Sequence, residues 1–272
     1  MPQDRQTRLL EIINARGLVS LAELEHLFPE VSSMTLRRDL QRLDERGEAI
    51  RVRRGVRAVH KADPADGIEP AYVMRAAENL PAKDAIAAAA LPHIELGRSI
   101  YFDAGSTVMR LARIMPDRFF SAVTPAPNIA LALGSLKNPE VCLLGGSLHR
   151  DNNTVIGPQT LAMFEGINVD TAILSASGYA QSVGFTCGNP SECEQKKRVL
   201  AKARNRMLLM DQSKLDRTLP LTFCRLDGIG TLIIDGPPQS PAAEALLSDA
   251  QRHGAAVILA PPLPANRPRS RS

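Results

Sequence analysis

Between Lys83 and Leu259 seven short apolar runs recur, each closed by a glycine, serine or aspartate turn: Ser99–Phe102, Ser121–Thr124, Val141–Leu144, Thr171–Leu174, Met207–Met210, Thr231–Ile234 and Ala256–Leu259. Amphipathic or alanine-rich helical stretches lie between most of them. Strands that alternate with helices pair in parallel through crossovers, so the pattern predicts a mainly parallel sheet covered by helices, an α/β unit.

The first sixty residues have a different texture. Leu9, Ile12 and Ile13 sit at helical spacing in a segment that ends at Gly17, a natural helix stop. Ser20 can cap a second helix carrying Leu21, Leu24, Leu27 and Phe28, which Pro29 ends. Ser32 can cap a third, with Leu36, Leu40 and Leu43 on one stripe and Gly47 past its end. Residues 49–59 then alternate apolar and basic side chains, which predicts a β-hairpin turning near Arg54-Gly55. Three short helices and a basic hairpin make the layout of a winged helix-turn-helix over residues 1–60. Residues 61–81 hold Pro64, Gly67, Pro70 and Pro81 and are expected to be a linker with one helical turn at most. The α/β unit is expected over 82–260, and the Pro- and Arg-rich end, 261–272, as a disordered basic tail.

Charge sharpens the N-terminal reading. The chain has 272 residues and a net charge of only +4, but Arg51, Arg53, Arg54, Arg57 and Lys61 lie in one short stretch without Asp or Glu. Such a wing suits phosphates or a minor groove, where each neutralised phosphate releases counterions. On the third helix, Met34, Arg38 and Gln41 face away from the leucine stripe, with Thr35, Arg37 and Arg42 on the flanks. Arginine matches guanine O6/N7 and glutamine matches adenine N6/N7 in a major groove. The candidate DNA-contacting set is therefore Ser32, Met34, Thr35, Arg37, Arg38, Gln41 and Arg42, with Arg51, Arg53, Arg54 and Arg57 of the wing. Asp39 is expected to pair with an arginine of the protein. The plainer alternative, a solvated basic loop on a helical subdomain, does not explain the three features together.

Much else is excluded. With 44% hydrophobic and 23% charged residues the chain is of ordinary globular composition, and no stretch approaches the ~18 apolar residues of a membrane span. The first seventeen residues lack the apolar core of a secretory signal, so the cytoplasm is the expected compartment. Cys142, Cys187, Cys193 and Cys224 form no CxxC pair, so free thiols and no metal are expected. No HExxH, GxxxxGK[ST], GxSxG or GxGxxG occurs, and neither catalytic residues nor a cofactor are expected.

The N-terminal segment resembles the DNA-binding domain of the DeoR/GlpR family of bacterial transcriptional regulators. The matching residues are Val31-Ser32, then Thr35-Leu36-Arg37-Arg38-Asp39-Leu40, Gly47 and the basic wing. It departs from the family in the wing, where Arg53-Arg54-Gly55-Val56-Arg57 stands in place of a frequent His-Gly-Gly stretch.

In the α/β unit three Gly/Ser corners fall at predicted carboxyl ends of strands: Asp103-Ala104-Gly105-Ser106-Thr107, Leu144-Gly145-Gly146-Ser147 and Ser175-Ala176-Ser177-Gly178. Such turns suit anions, although glycine and serine are also the default residues of any loop. Glu192 and Lys196 open a predicted helix, where an ordinary surface pair is the plainer reading, and Asp211-Gln212-Ser213-Lys214 closes a predicted strand. A lysine at either place could neutralise a phosphate. The stretch from Lys83 to Leu259 resembles the sensor domain of the same family, Rossmann-like and similar in fold to ribose-5-phosphate isomerases. The pieces that match include Lys83, Asp103-x-Gly105-Ser106-Thr107, Gly145-Gly146, Gly178, Glu192-x-x-x-Lys196 and Asp211-x-Ser213-Lys214.

The resemblance implies a pocket for a phosphorylated sugar or related metabolite, its phosphate on Gly105, Ser106 and Thr107 with Lys196 and Lys214 nearby. The effector set is Asp103, Gly105, Ser106, Thr107, Gly145, Gly146, Ser177, Gly178, Glu192, Lys196, Asp211 and Lys214. Thr124-Pro125 and Ser175-Ala176-Ser177-Gly178 depart from the family pattern at this pocket. The expected protein is a repressor of a carbohydrate operon, a homo-oligomer (dimer or tetramer) that binds operator DNA and the effector. The alternative is a sugar-phosphate isomerase-like enzyme with an appended DNA-binding domain, its base supplied by Asp103, Glu192 or Glu194. A third reading makes the C-terminal unit an oligomerisation module alone.

Overall fold

The computed structural model describes residues 2–16, 18–45, 48–52, 55–58 and 69–263. The chain divides into two units, Met1–Asp63 and Pro64–Ser272.

The first unit runs α1 (Pro2–Arg16), β1 (Leu18–Ser20), α2 (Leu21–Leu27), α3 (Ser33–Glu45), β2 (Ala49–Val52) and β3 (Gly55–Ala58). Ser20 and Glu23 form a reciprocal capping box that starts α2. Leu9, Ile13, Leu24, Phe28, Leu36, Leu40 and Leu43 close one core with Val19, Ala49 and Val56. The strands make an antiparallel sheet in the order β1-β3-β2, so the hairpin gains a third strand that the sequence pattern did not reveal. Gly55 opens β3 opposite Val52 instead of occupying the turn. A Cβ there would stand 2.2 Å from the Val19 carbonyl oxygen, so only glycine lets β1 approach.

Asp39 is buried in this unit. Its carboxylate accepts from Arg5 Nε at 2.6 Å and from Gln6 Nε2 at 2.8 Å. Burial alone would raise its pKa, but the bonds from Arg5 and Gln6 outweigh burial and hold it below the usual carboxylate value. The expected arginine partner is thus Arg5 of α1, which ties α1 to α3. Asp39→Ala strands both donors, and urea unfolding of the full chain should show a loss of about 1.5–3 kcal/mol in this unit. Because the folded pKa is depressed, this contribution is present above pH ~4 and is lost as pH falls through the folded value.

The second unit runs α4 (Tyr72–Ala77), α5 (Leu80–Ala90), β4 (Ser99–Phe102), α6 (Ser106–Ala112), β5 (Ser121–Thr124), α7 (Pro127–Gly134), β6 (Glu140–Leu143), β7 (Ser147–His149), β8 (Thr154–Ile156) and α8 (Pro158–Met163). It continues with β9 (Thr171–Ser175), β10 (Gly178–Ala180), β11 (Gly184–Cys187), α9 (Pro190–Lys202), β12 (Asn205–Met210), β13 (Leu221–Cys224), β14 (Thr231–Asp235), α10 (Pro241–Arg252) and β15 (Ala256–Ala260). The seven expected strands form one all-parallel sheet, in the order β15-β14-β12-β9-β4-β5-β6. The five inner strands are buried on both faces, and alternation assigns each residue to a face: Tyr101, Ala172, Leu174 and Leu208 to one core, Ile100, Phe102, Ile173 and Leu209 to the other. A small antiparallel sheet, β10-β11-β13, and the β7-β8 hairpin are additions to the expected pattern.

The linker expected over 61–81 differs in its described part. From Glu69 onward this stretch holds α4 and the start of α5, with Tyr72 and Arg75 buried. The proline content marked helix starts here: Pro81 sits in the first turn of α5. Residues 61–68 and 264–272, which include most of the expected tail, lie outside the described residues.

Candidate functional site

The sheet order sets where a ligand can sit. From β4 the chain steps outward to β5 and β6, then returns across β4 to β9 and continues to β12, β14 and β15. The direction reverses between β4 and β9. Ligands of open parallel sheets bind in the crevice outside the carboxyl ends of strands at such a reversal.

Asp103 follows β4 and Ser175 ends β9, and the two meet at this point. Asp103 Oδ2 accepts from the Ser175 N–H and hydroxyl, both at 3.0 Å, and from Lys196 Nζ of α9. The Lys196 ammonium also donates to Ser175 O at 3.0 Å, faces Glu192 Oε1 at 3.4 Å and lies 5.2 Å from the Phe223 ring centre. Glu192 accepts from Asn152 Nδ2 at 2.8 Å. Asp103, Glu192 and Lys196 are all buried. Burial alone would pull the Lys196 pKa down, but Asp103 and Glu192 outweigh it and hold it well above the ordinary lysine value. Burial raises the Glu192 carboxyl, which Lys196 only partly offsets. The plain surface pair at 192 and 196 is therefore excluded.

The neighbouring loops complete the site. Gly105 leads into α6, and a Cβ on it would stand 1.9 Å from Ser175 Oγ, so glycine here and serine at 175 are matched. Ser106 and Thr107 are buried, and their hydroxyls have no hydrogen-bond partner among the described residues. Asp211 follows β12 and accepts from Ser213 N–H and Asn79 Nδ2, each at 3.2 Å. Lys214, beyond β12 and so two strands from β4, is buried without a hydrogen bond to the described residues, and burial lowers its pKa against the pull of Asp211. Ser177 donates to Glu69, a residue the sequence pattern assigned to the linker. A Cβ on Gly178 would stand 2.4 Å from Arg217 O.

Gly145 and Gly146 differ from this group. They are exposed at the end of the edge strand β6, two strands from β4, and Gly145 O is held by Thr160 Oγ1 at 2.7 Å. They lead into the β7-β8 hairpin, whose loop carries Asn152 to Glu192.

In the first unit, α3 shows the expected two faces. Leu36, Leu40 and Leu43 are buried, while Met34 is 71% exposed and Arg37, Arg38, Gln41 and Arg42 are exposed. Ser32 Oγ accepts from Thr35 N–H at 3.2 Å and shares a 2.9 Å hydrogen bond with the Thr35 hydroxyl, which builds the helix start. Exposed Arg51 donates its N–H to Asp44 at 3.1 Å and so ties the wing to the end of α3. Arg53 and Arg54 lie outside the described residues, and only the backbone of Arg57, in β3, is described.

Two family models divide the chain. The DeoR-like helix-turn-helix domain matches residues 5–62, and the DeoR C terminal sensor domain matches residues 78–236. The HTH-type transcriptional regulator GlpR of Haloferax volcanii is 32% identical over 91% of this chain and 95% of its own. The chain belongs to the DeoR family of transcriptional regulators. The L-fucose operon activator of Escherichia coli K12 is 29% identical over 86% of this DeoR-family chain and 96% of its own. Among solved structures, ribose 5 phosphate isomerase A from Neisseria gonorrhoeae aligns at 15% identity over 53% of this chain and 56% of that one, with a TM-score of 0.35, a likeness too distant to carry an argument.

The sequence pattern missed three groups in this DeoR-family sensor: Asn152, the Glu69–Arg75 pair and the Tyr101 hydroxyl, buried beside Asp103 and Glu192 without a hydrogen-bond partner among the described residues. Ser175 was legible as part of the third Gly/Ser corner and as a departure from the family turn, but its bond to Asp103 was not. A cleft of about 640 Å³ lies at the amino ends of β9, β12 and β14, on the wrong edge of the sheet for this site. One of about 530 Å³ borders Asn79, Asp211 and Ser213 at the carboxyl edge.

With its core stripe buried, α3 presents Arg38 outward, where no described residue bonds it. Arg38→Ala should weaken binding to a duplex selected from a random pool by about 1–3 kcal/mol and relax its sequence preference. Unchanged affinity in a fluorescence titration would remove this face from the groove.

Proposed function

We propose that the chain is a cytoplasmic, homo-oligomeric repressor of a carbohydrate operon, and that a phosphorylated sugar bound outside β4, β9 and β12 shifts its affinity for operator DNA. The carrying observation is the buried polar group at the sheet reversal. Lys196 is already met by Asp103 and Glu192, whereas the Ser106 and Thr107 hydroxyls and the Lys214 ammonium, on largely buried residues, have no hydrogen-bond partner among the described residues and keep some access to solvent. Open donors beside a buried charge group suit an anionic acceptor, and a phosphate presents several oxygens. Lys214 then neutralises the phosphate, and Lys196 holds Asp103 in place for the sugar hydroxyls. The name of the fucose-operon relative favours a sugar, and DeoR-family membership favours DNA as the partner.

Binding without turnover fits the carboxylates. Asp103 and Glu192 are both engaged by Lys196, and Glu194 is half-exposed and paired with Arg198 at 2.9 Å. None is a free, positioned base of the kind an aldose–ketose proton transfer requires. A thermal-shift screen of phosphorylated sugars on the full chain tests the reading. A ligand at 100 times its Kd adds roughly 2.7 kcal/mol of stability. The same compound must change affinity for a selected duplex and must not be isomerised. Stabilisation by none of them would leave the C-terminal unit as an oligomerisation module, and turnover would make it an enzyme.

A further inference from the structure

The Glu69 carboxylate sits where the chain enters the second unit, yet its side chain is 5% exposed. Three donors converge on it: the Arg75 guanidinium at 2.9 Å, the Gly188 N–H at 2.9 Å and the Ser177 hydroxyl. A Cβ on Gly188 would stand 2.7 Å from Glu69 Cβ, so the loop is shaped to receive this side chain. Burial works against its charge, and Arg75, Ser177 and Gly188 hold the carboxyl below its usual pKa all the same. Lys196 contributes to that pull, which places Glu69 within the field of the Asp103–Lys196 group.

We infer that Arg75, Ser177 and the Gly188 N–H form a second anion site beside the proposed phosphate site, that Glu69 occupies it as a built-in ligand, and that a second anionic group of the effector, the carboxylate of a phosphorylated sugar acid or the second phosphate of a bisphosphate, competes with Glu69 for it. This rests on the sensing role proposed above and adds its trigger. Two anions cannot share one buried guanidinium when Glu192 and Asp103 already engage the nearby lysine. Conversely, if Glu69 leaves with nothing in its place, buried Arg75 loses its carboxylate. Exchange of one anion for another keeps the charge balanced. It also frees the residue that anchors the chain just beyond the boundary at Asp63, so ligand binding acts directly on the segment leading to the DNA-binding unit.

The test compares full-length wild type with Glu69→Gln, which keeps the size and removes the charge. Inorganic phosphate is the probe, by calorimetry, with and without Glu69→Gln in the Ser106→Ala, Lys214→Ala background, which removes the other phosphate site. If Glu69 fills the site in about nine molecules in ten, its removal tightens apparent phosphate affinity about tenfold. The variant's affinity for a selected duplex should shift, without ligand, in the direction the effector shifts the wild type. Equal phosphate affinity in the two proteins overturns the proposal, and so does tighter phosphate binding with unaltered duplex affinity. Glu69→Ala repeats both readings in case glutamine still holds the site through its amide oxygen. Failure of the sensing role itself shows separately, as a wild type that answers to no phosphorylated sugar.

Discussion

Replacing Lys196 by methionine is expected to cost the C-terminal unit about 3–5 kcal/mol, the range for removing one partner of a buried ion pair. The volume is nearly kept, so the loss comes from charge. Asp103 and Glu192 lose the ammonium between them, and Ser175 O loses a donor. Lys196 is 1% exposed, so water cannot take over. The pH dependence has a definite sign. The folded lysine is held above its ordinary value of 10.5, so its contribution is complete below that pH and is lost as pH rises through the folded value. Between pH 6 and 9, roughly, the lysine's own contribution in the wild type should therefore be flat. Denaturant titration of both proteins measures it, and a loss below about 1 kcal/mol would mean the group is not a buried network.

The second large effect is functional. Ser106→Ala combined with Lys214→Ala should abolish the response to phosphorylated sugars and leave duplex affinity near wild type. Neither side chain bonds to the described residues, so removing both breaks no described hydrogen bond. Lys214 carries a burial penalty, seen in its lowered pKa, and its removal should stabilise the free protein slightly or not at all. A bound phosphate would lose a charged donor and a hydroxyl, each worth about 1–3 kcal/mol, and together about 30-fold or more in affinity. A variant still released from DNA by the same sugar concentration would place the phosphate elsewhere.

How much of this was legible in the chain depends on how local each feature is. The five inner parallel strands announce themselves because a strand buried on both faces is apolar throughout, the two partly exposed edge strands are apolar enough to show as well, and the ends of all seven fall within about two residues of the expected ones. Glu140–Leu143, for example, stands where Val141–Leu144 was expected. The helix starts at Ser20 and Ser32 are equally local, since a cap is written within three residues. Strand order is not local. Nothing in the sequence places β9 beside β4, and that pairing alone makes the Asp103 corner the point of reversal. The short strands were hidden for a related reason: Phe185 pairs with Cys224 across a long intervening segment, in strands too short to show alternation. Glu69 was hidden by its surroundings. One carboxylate among Pro64, Gly67 and Pro70 looks like linker until Arg75, Ser177 and Gly188 are seen around it. Ser175, in turn, is explained by the structure, because its hydroxyl fills the space that Gly105 leaves.

The central claim is that one chain couples a DNA reader to a sensor of phosphorylated sugars. Its most direct test is a fluorescence titration of the full-length protein onto a selected duplex, with and without each sugar phosphate that stabilises it. One such compound should change duplex affinity by about 5–150-fold, the usual range for coupling between two sites, and the Ser106→Ala, Lys214→Ala variant should bind the same duplex without responding. Duplex affinity that stays constant at saturating concentrations of every stabilising compound would contradict the account.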